Sequence, residues 1–393
     1  MSAPVLVQKF GGTSVATADA RRRAVEHVRS ARHDGHQVAV VVSAMGRRGD
    51  PYSTDTLLDL LRGEGGSVEA RDYDLMFSCG EAIAAALMAH TLRKAGIPAV
   101  PLTSAQARIY TDGRHQEAEI TEIDASRLRA CLAQGEVPVV TGGQGVARDS
   151  LDYTTLGRGG SDTSGVAVGV ALGAARVDIF TDVEGVATTD PRLVPAARLL
   201  ERISYPRMHE MARFGARVVH PRAIAAGWNA AMPLEVRSTF SSRRGTLIDA
   251  SSDVSSTTGV AFLPAMRTAA VEPCDISPGT REGWERRLLV MSLVDAPRGT
   301  LVLGVQTDRG QQLDSAIRSA GARVVAEPRD RAWVSLVGDP SELAASSAAV
   351  LDLLAGERIQ VDYHELSPLR MTLVVPMEDM ARAVRTLHRW AFE

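Results

Sequence analysis

Several groups of residues in this sequence have types and spacings suited to handling anions. The densest is Thr154–Gly169 (TTLGRGGSDTSGVAVG), where Gly157, Arg158, Gly159 and Gly160 lead into Ser161, Asp162 and a small-residue apolar run, Val166–Leu172. Glycines let the backbone turn sharply and bring N–H groups close to a ligand. Ser161 or Asp162 suits the N-cap of a helix running to about Gly173, and the N-terminus of that helix favours an anion. Arg158 adds a planar fork of five donors matched to carboxylate or phosphate. Glycines alone would mark an ordinary turn; an arginine and an aspartate inside the same turn point to an anion site. A second group is Lys9-Phe10-Gly11-Gly12-Thr13-Ser14, which ends the apolar segment Val5–Phe10. Strand, glycine loop with lysine, then helix is the layout of a phosphate cradle, in which backbone N–H groups hold oxygens and the ammonium neutralises charge. The pattern is not a Walker A, because GxxxxGK[ST] is absent. Only Lys9 and Lys94 are lysines among the 44 basic residues, so a lysine kept inside a glycine loop suggests a site that wants a compact ammonium.

The elements that must position these residues follow from periodicity. Val5–Phe10, Ile97–Leu102, Arg176–Thr181 and Pro233–Arg237 are read as strands, with Pro233–Arg237 the last, and the continuous apolar runs Gln37–Val42 and Val137–Thr141 as strands buried within a parallel sheet. Helices are predicted from Thr17 or Asp19 to about Arg32, from Leu57, over Phe77–Met88, and over Pro206–Arg213 and Arg222–Gly227. Ala107–Ile120 reads as a hairpin around Asp112-Gly113. Glycine loops follow strands, as ligand loops do in open α/β sheets. The loops around Lys9, Arg158 and Asp182 should therefore converge on one sheet edge, which suits a nucleotide phosphate chain and an acidic substrate. Glu81, after Gly80, is placed in a first helical turn, where it complements the helix dipole or faces a substrate amine.

After the polar linker Ser251–Thr258 the pattern changes. Strands are predicted at Arg287–Val294, Thr300–Gln306, Ala322–Ala326, Trp333–Val337, Arg358–Tyr363 and Met371–Val375, and helices at Gln311–Ala320, Ser341–Ala355 and Glu378–Trp390. These read as small α+β modules of the split βαβ kind, regulatory or dimerising, without a catalytic constellation.

Composition sets the limits. With 393 residues, 45% hydrophobic and 23% charged, the chain is an ordinary globular protein of two or three domains. A net charge of −3 gives no footprint for nucleic acid and no reason to expect a membrane surface. The N-terminus lacks the basic region and apolar core of a signal peptide, and no apolar run approaches the ~20 residues of a membrane span. Cys79, Cys131 and Cys274 are expected to be free thiols in a reducing cytoplasm.

Six segments together resemble the aspartokinase family of the amino-acid kinase superfamily: KFGGTSVA at 9–16, VVSAMG at 41–46, SCGEAIAAALMA at 78–89, TTLGRGGSDTS at 154–164, FTDVEGVATTDPRLVP at 180–195 and HPRAI at 220–224. Residues 258–393 resemble a pair of ACT modules. The resemblance implies an α/β catalytic domain over residues 1–250, with an open, mainly parallel sheet sandwiched by helices. A smaller α+β, ACT-like regulatory and dimerising domain would follow over 258–393. It implies transfer of the γ-phosphate of ATP to the β-carboxylate of L-aspartate in a cytoplasmic homodimer, with Mg²⁺ arriving on the ATP phosphates. A carboxylate acceptor is already ionised, so catalysis needs positioning and charge neutralisation.

By position, Lys9 and Asp162 would be catalytic. Lys9, Phe10, Gly11, Gly12, Gly159, Gly160, Thr181, Asp182, Arg192 and Arg217 would bind the nucleotide. Thr54, Glu81, Arg158 and Ser161 would bind aspartate. Gly143 stands where the family usually has an aromatic residue before Gln-Gly, Arg217 where it has lysine, and Pro51 and Tyr52 enlarge the loop before Thr54. These differences keep open another acidic acceptor, such as glutamate or an aspartate analogue; a non-catalytic effector-binding partner is the further alternative. Asp295-Ala296-Pro297-Arg298-Gly299 leads straight into a strand-like TLVLGVQ instead of an effector-binding helix, so weak feedback inhibition by lysine or threonine is expected.

Overall fold

The computed structural model describes residues 3–251, 257–272, 276–277, 279–281, 283–284, 291–295 and 300–393. Its residues group into two compact units. The first is Met1–Val186 with Leu199–Tyr205 and Arg217–Ser252; the second is Ala187–Arg198 with Pro206–Ala216 and Asp253–Glu393.

In the first unit, β1 (Val5–Phe10) leads through a single helical turn, α1 (Gly12–Val15), into α2 (Ala18–His33), whose N-cap Thr17 accepts the Ala20 N–H. Next come β2 (Gln37–Val42), α3 (Thr54–Gly63), α4 (Ala70–Lys94) and β3 (Ala99–Leu102). Then follow β4 (Ile109–Thr111), β5 (Ile120–Ile123), α5 (Ser126–Ala133), β6 (Val137–Thr141), β7 (Gln144–Ala147) and β8 (Tyr153–Thr155). The unit continues with α6 (Gly160–Leu172), β9 (Arg176–Thr181) and β10 (Arg202–Ser204). After α7 (Tyr205–Arg213), most of which belongs to the second unit, come α8 (Pro221–Asn229), β11 (Leu234–Ser238) and β12 (Thr246–Asp249).

The main sheet has the order β10-β12-β11-β9-β1-β2-β6-β3 and is parallel except where β12 runs against β11. The valine run of β2 is fully buried, as a strand covered on both faces must be. Strand β12 follows Pro233–Arg237, so that segment is not the last strand; Gly245 lets β12 fold back closely, since a Cβ there would stand 1.6 Å from the Val236 carbonyl oxygen. The expected hairpin is real but wider: β4 and β5 pair antiparallel around residues 112–119, and β7 and β8 extend them into a small second sheet.

Helix α4 runs well beyond Phe77–Met88. By length and composition it could cross a membrane, contrary to expectation. Ala84, Ala85, Met88, Ala89 and Leu92 are buried in the core with the valines of β2 and β6, which accounts for its apolar content.

The second unit is built on an antiparallel sheet ordered β14-β15-β13-β17-β19-β18, formed by β13 (Thr257–Glu272), β14 (Met291–Asp295), β15 (Thr300–Gln306), β17 (Arg331–Gly338), β18 (Tyr363–Ser367) and β19 (Arg370–Pro376). Strand β16 (Arg323–Ala326) pairs with β13 off this path. Helices Pro340–Gly356 and Met380–Phe392 bury Leu343, Val350, Leu354, Val384 and Leu387 against Leu336 and Leu373, and helix Gly310–Ser319 buries Leu313 and Ala316 against Leu301 and Leu303.

Two expectations fail here. Thr257 and Thr258 open the 16-residue strand β13 instead of ending a linker, and the strand placed at Arg358–Tyr363 forms at Tyr363–Ser367. Cys274, residues 287–290 of the strand placed at Arg287–Val294, and residues 296–299 of the segment read as lacking an effector helix lie outside the described residues. Cys79 and Cys131 are free thiols.

Candidate active site

The glycine loops meet at the carboxyl ends of the central strands. Phe10 of β1 lies opposite Phe180 of β9, and the Gly11 N–H donates to the Phe180 carbonyl at 3.2 Å. Strand alternation sends Phe10 and Lys9 to opposite faces. The Phe10 ring is fully buried and stacks on Phe180 with centroids 4.7 Å apart, so only its backbone is available to a ligand. Lys9 turns to the face covered by α6 and packs over Gly165, where a Cβ would stand 3.1 Å from the Lys9 Cβ. Its ammonium ends 2.5 Å from Asp162 Oδ1, with the two side chains only 9% and 13% exposed.

The loops after β1 and β2 clasp each other. The Gly46 N–H donates to the Gly12 carbonyl at 3.1 Å, and a Cβ on Gly12 would stand 2.8 Å from the Ala44 oxygen.

Helix α6 begins differently from its sequence reading. Gly159, in the left-handed region at φ 70°, is the N-cap, and Ser161 and Asp162 fall inside the first turn. No side chain caps this end, which leaves first-turn N–H groups to an incoming anion. Ser161 Oγ accepts from Ser43 Oγ at 2.8 Å, which ties α6 to the end of β2. Asp162 Oδ2 accepts the backbone N–H of His220 at 3.3 Å. His220 in turn caps α8, its Nδ1 accepting the Arg222 N–H at 3.3 Å. Burial above all holds the His220 pKa below its ordinary value. The Arg222 guanidinium donates to the carbonyls of Leu156 and Ala118, which holds the chain before the glycine turn.

Glu81 is mid-helix in α4, so the dipole reading of it fails. Its carboxylate is 2% exposed; Oε1 accepts the Ala44 N–H at 3.1 Å, while Oε2 has no hydrogen-bond partner among the described residues. Burial pushes its pKa up to about 8. A buried carboxyl with one oxygen uncommitted suits an incoming ammonium, whose charge would restore the ionised form.

The remaining predicted residues are dispersed. Thr54 is the first residue of α3, after the N-cap Ser53. Arg158 is exposed on the glycine turn and makes no ion pair among the described residues. Thr181 Oγ1 donates to Asp182 Oδ1 at 3.3 Å, and Asp182 is held by Arg47 at 2.7 Å. Arg217 is exposed in the loop before α8. Arg192 belongs to the second unit, with its guanidinium on Asp190 at 2.6 Å.

Sequence reasoning passed over Ser43, His220 and Asp74. Ser43 and His220 lie in the quoted segments VVSAMG and HPRAI, yet nothing local separates them from their neighbours. Asp74, fully buried in α4, accepts from Thr155 Oγ1 at 2.5 Å and the Gln116 N–H at 3.0 Å, and contacts His115 Nδ1 at 2.8 Å. It thereby joins α4 to β8 and the 112–119 loop.

An ammonium, glycine loops and a helix N-terminus at the carboxyl edge of a parallel sheet define a phosphotransferase site without a Walker A loop. The model of the amino acid kinase family matches residues 4–238. The chain is 34% identical to the aspartokinase of Geobacillus stearothermophilus over 98% of this chain and 96% of that one. It is 47% identical to aspartokinase 1 of Bacillus subtilis over 62% of this chain and 60% of the relative. Among solved structures, E. coli aspartokinase III in complex with aspartate and ADP superposes with a TM-score of 0.80 at 26% identity, covering 99% of this chain and all of that one. The chain belongs to the amino acid kinase family, in its aspartokinase branch.

Proposed function

We propose that this protein transfers the γ-phosphoryl group of ATP to the β-carboxylate of L-aspartate, giving 4-phospho-L-aspartate and ADP. The observation that carries the reading is the buried Lys9–Asp162 pair between two glycine loops and the first turn of α6. The acceptor oxygen attacks the γ-phosphorus, the bond to the bridging oxygen of ADP breaks, and no proton need be removed from the nucleophile. Lys9 neutralises the transferring oxygens, and the N–H groups of Gly12 and Gly159 supply donors aimed at the same charge, while Gly11 and Gly160, whose N–H groups are held by the Phe180 and Gly157 carbonyls, shape the two loops. Asp162 fixes the ammonium in place. Glu81 takes the aspartate ammonium, Arg158 a carboxylate, and Thr54 and Ser161 complete the acceptor side. Thr181, Asp182 and Arg217 serve the nucleotide.

Among the described residues no cluster of three or more His, Cys, Asp or Glu side chains could hold a metal. Mg²⁺ carried on ATP phosphates with water needs only one or two protein carboxylates, and Asp162 would hold it. Bound there, Mg²⁺ would add charge neutralisation.

We place the protein in the cytoplasm as a homodimer formed through the ACT-like second unit, with weak feedback control. Sedimentation tests the assembly, and strong inhibition by micromolar lysine or threonine would remove the regulatory part.

The deciding experiment is an ATP-dependent hydroxamate assay with L-aspartate beside L-glutamate and a Lys9→Ala control. Hydroxamate from aspartate that vanishes in the variant supports the reading. Product from glutamate alone shifts the acceptor, and activity unchanged by Lys9→Ala removes the catalytic assignment.

A further inference from the structure

We propose that the Phe77 ring is the wall that limits acceptor length at this site, a specificity-determining contact supplied by α4. The proposal rests on the acceptor reading above. Phe77 and Glu81 are four residues apart on one helix, so both side chains lie on the same face of α4. At that face the ring meets the loop after β6. A Cβ on Gly143 would stand 3.4 Å from Phe77 Cζ, 3.5 Å from Cε1 and 3.4 Å from the Ser161 backbone nitrogen. The ring edge therefore sits against the peptide that adjoins the first turn of α6. It lies between Glu81 and Ser161, the two residues proposed above to take the acceptor ammonium and to complete the acceptor side.

Gly143 makes this contact possible. It sits at φ 73°, where a side chain is strained, and both its polar groups are fixed. Its N–H donates to Ser164 Oγ at 2.9 Å and its carbonyl accepts the Leu156 N–H at 2.9 Å. The loop after β6 thus presents only backbone here, and the bulk on this side comes from the helix.

The wall is also stiff. Asp74, one turn before Phe77, is pinned by Thr155 and Gln116, and Gly80, one turn after it, packs tightly: a Cβ there would stand 3.0 Å from the Ala44 Cβ. An aromatic ring with two torsions on a helix held at both turns resists displacement. Phe77 itself is only half-buried, between the buried Asp74 and Ser78, so it is not simply a core side chain. An acceptor one methylene longer than aspartate would have to displace the ring, and one methylene in an apolar pocket is worth about 10–200-fold in discrimination.

The test is kcat/KM for L-aspartate and L-glutamate in the full-length wild type, Phe77→Ala and Phe77→Leu, read by ADP release, with thermal melts to confirm folding. The glutamate-to-aspartate ratio is expected to rise by about tenfold or more in Phe77→Ala and by less in Phe77→Leu. A wild type active on aspartate with a ratio unchanged in both variants overturns the wall. If Phe77→Ala does not fold, the ratio in Phe77→Leu decides. A wild type inactive on aspartate overturns the acceptor reading itself, and this proposal with it.

Discussion

The Lys9 ammonium lies 2.5 Å from the Asp162 carboxylate, joining the end of β1 to the first turn of α6. Neither glycine motif completes the site alone: one brings the cation, and the other brings the anion that aims it. Removing one member of such a largely buried pair leaves the other uncompensated. Lys9→Ala should therefore lower hydroxamate formation from aspartate by about 10²-fold or more. Asp162→Asn keeps the ammonium but frees its position, and should reduce kcat more than it raises KM for ATP. Steady-state kinetics on both variants checks this.

Glu81 gives a pH signature of known sign. Its folded pKa, about 8, is raised above its ordinary value of 4.5 by burial, so between these values the folded state holds a proton that the unfolded state has released. Stability from this group is complete below the unfolded value and is lost as pH rises through the folded one. Glu81→Gln removes that dependence. Its melting temperature should match the wild type near the low end of the window and exceed it increasingly toward pH 8. Aspartate binding runs the other way, because the ammonium needs the carboxylate. KM for aspartate in the wild type should fall as pH rises toward 8, by up to about tenfold per unit, and Glu81→Gln should abolish that slope.

Gly159→Ala should damage both fold and activity. A Cβ at this left-handed residue would stand 2.0 Å from His220 Cγ, so the imidazole must leave and the His220 N–H that Asp162 accepts goes with it. Backbone strain alone costs about 1–3 kcal/mol. Gly159→Ala with His220→Ala should regain part of the melting temperature lost by the single variant, while activity stays low. Calorimetry beside the hydroxamate assay separates these effects.

Asp74→Ala should destabilise the first unit by about 3 kcal/mol, since it strips a fully buried carboxylate from Thr155, Gln116 and His115 together. Chemical denaturation measures the loss. Increased amide exchange should concentrate in β8 and the 112–119 loop.

What the sequence determined by itself was the local chemistry of the first unit. The apolar runs of β1, β2 and β6, the strand β9, the start of α2 within two residues of its Thr17 cap and the glycine loops behind the strands were legible because each depends on residues a few positions apart. The long strand β13 was not, since its opening threonines have the composition of a linker and become a strand only by pairing with β17 and β15. The length of α4 was hidden because Asp74 looks like a surface residue until Thr155 and Gln116 fold over it.

The site divides the same way. Residue types marked Lys9, Arg158, Asp162 and Glu81 as candidates, but the sequence put Glu81 at a helix start and left Ser43 and His220 without a role. Only the tertiary structure placed β9 beside β1 and α6 across Lys9, set Arg192 in the second unit, and laid Phe77 on Gly143. Periodicity fixes which face of an element a side chain takes. Which other element covers that face is decided by long-range pairing and burial, which no local pattern contains.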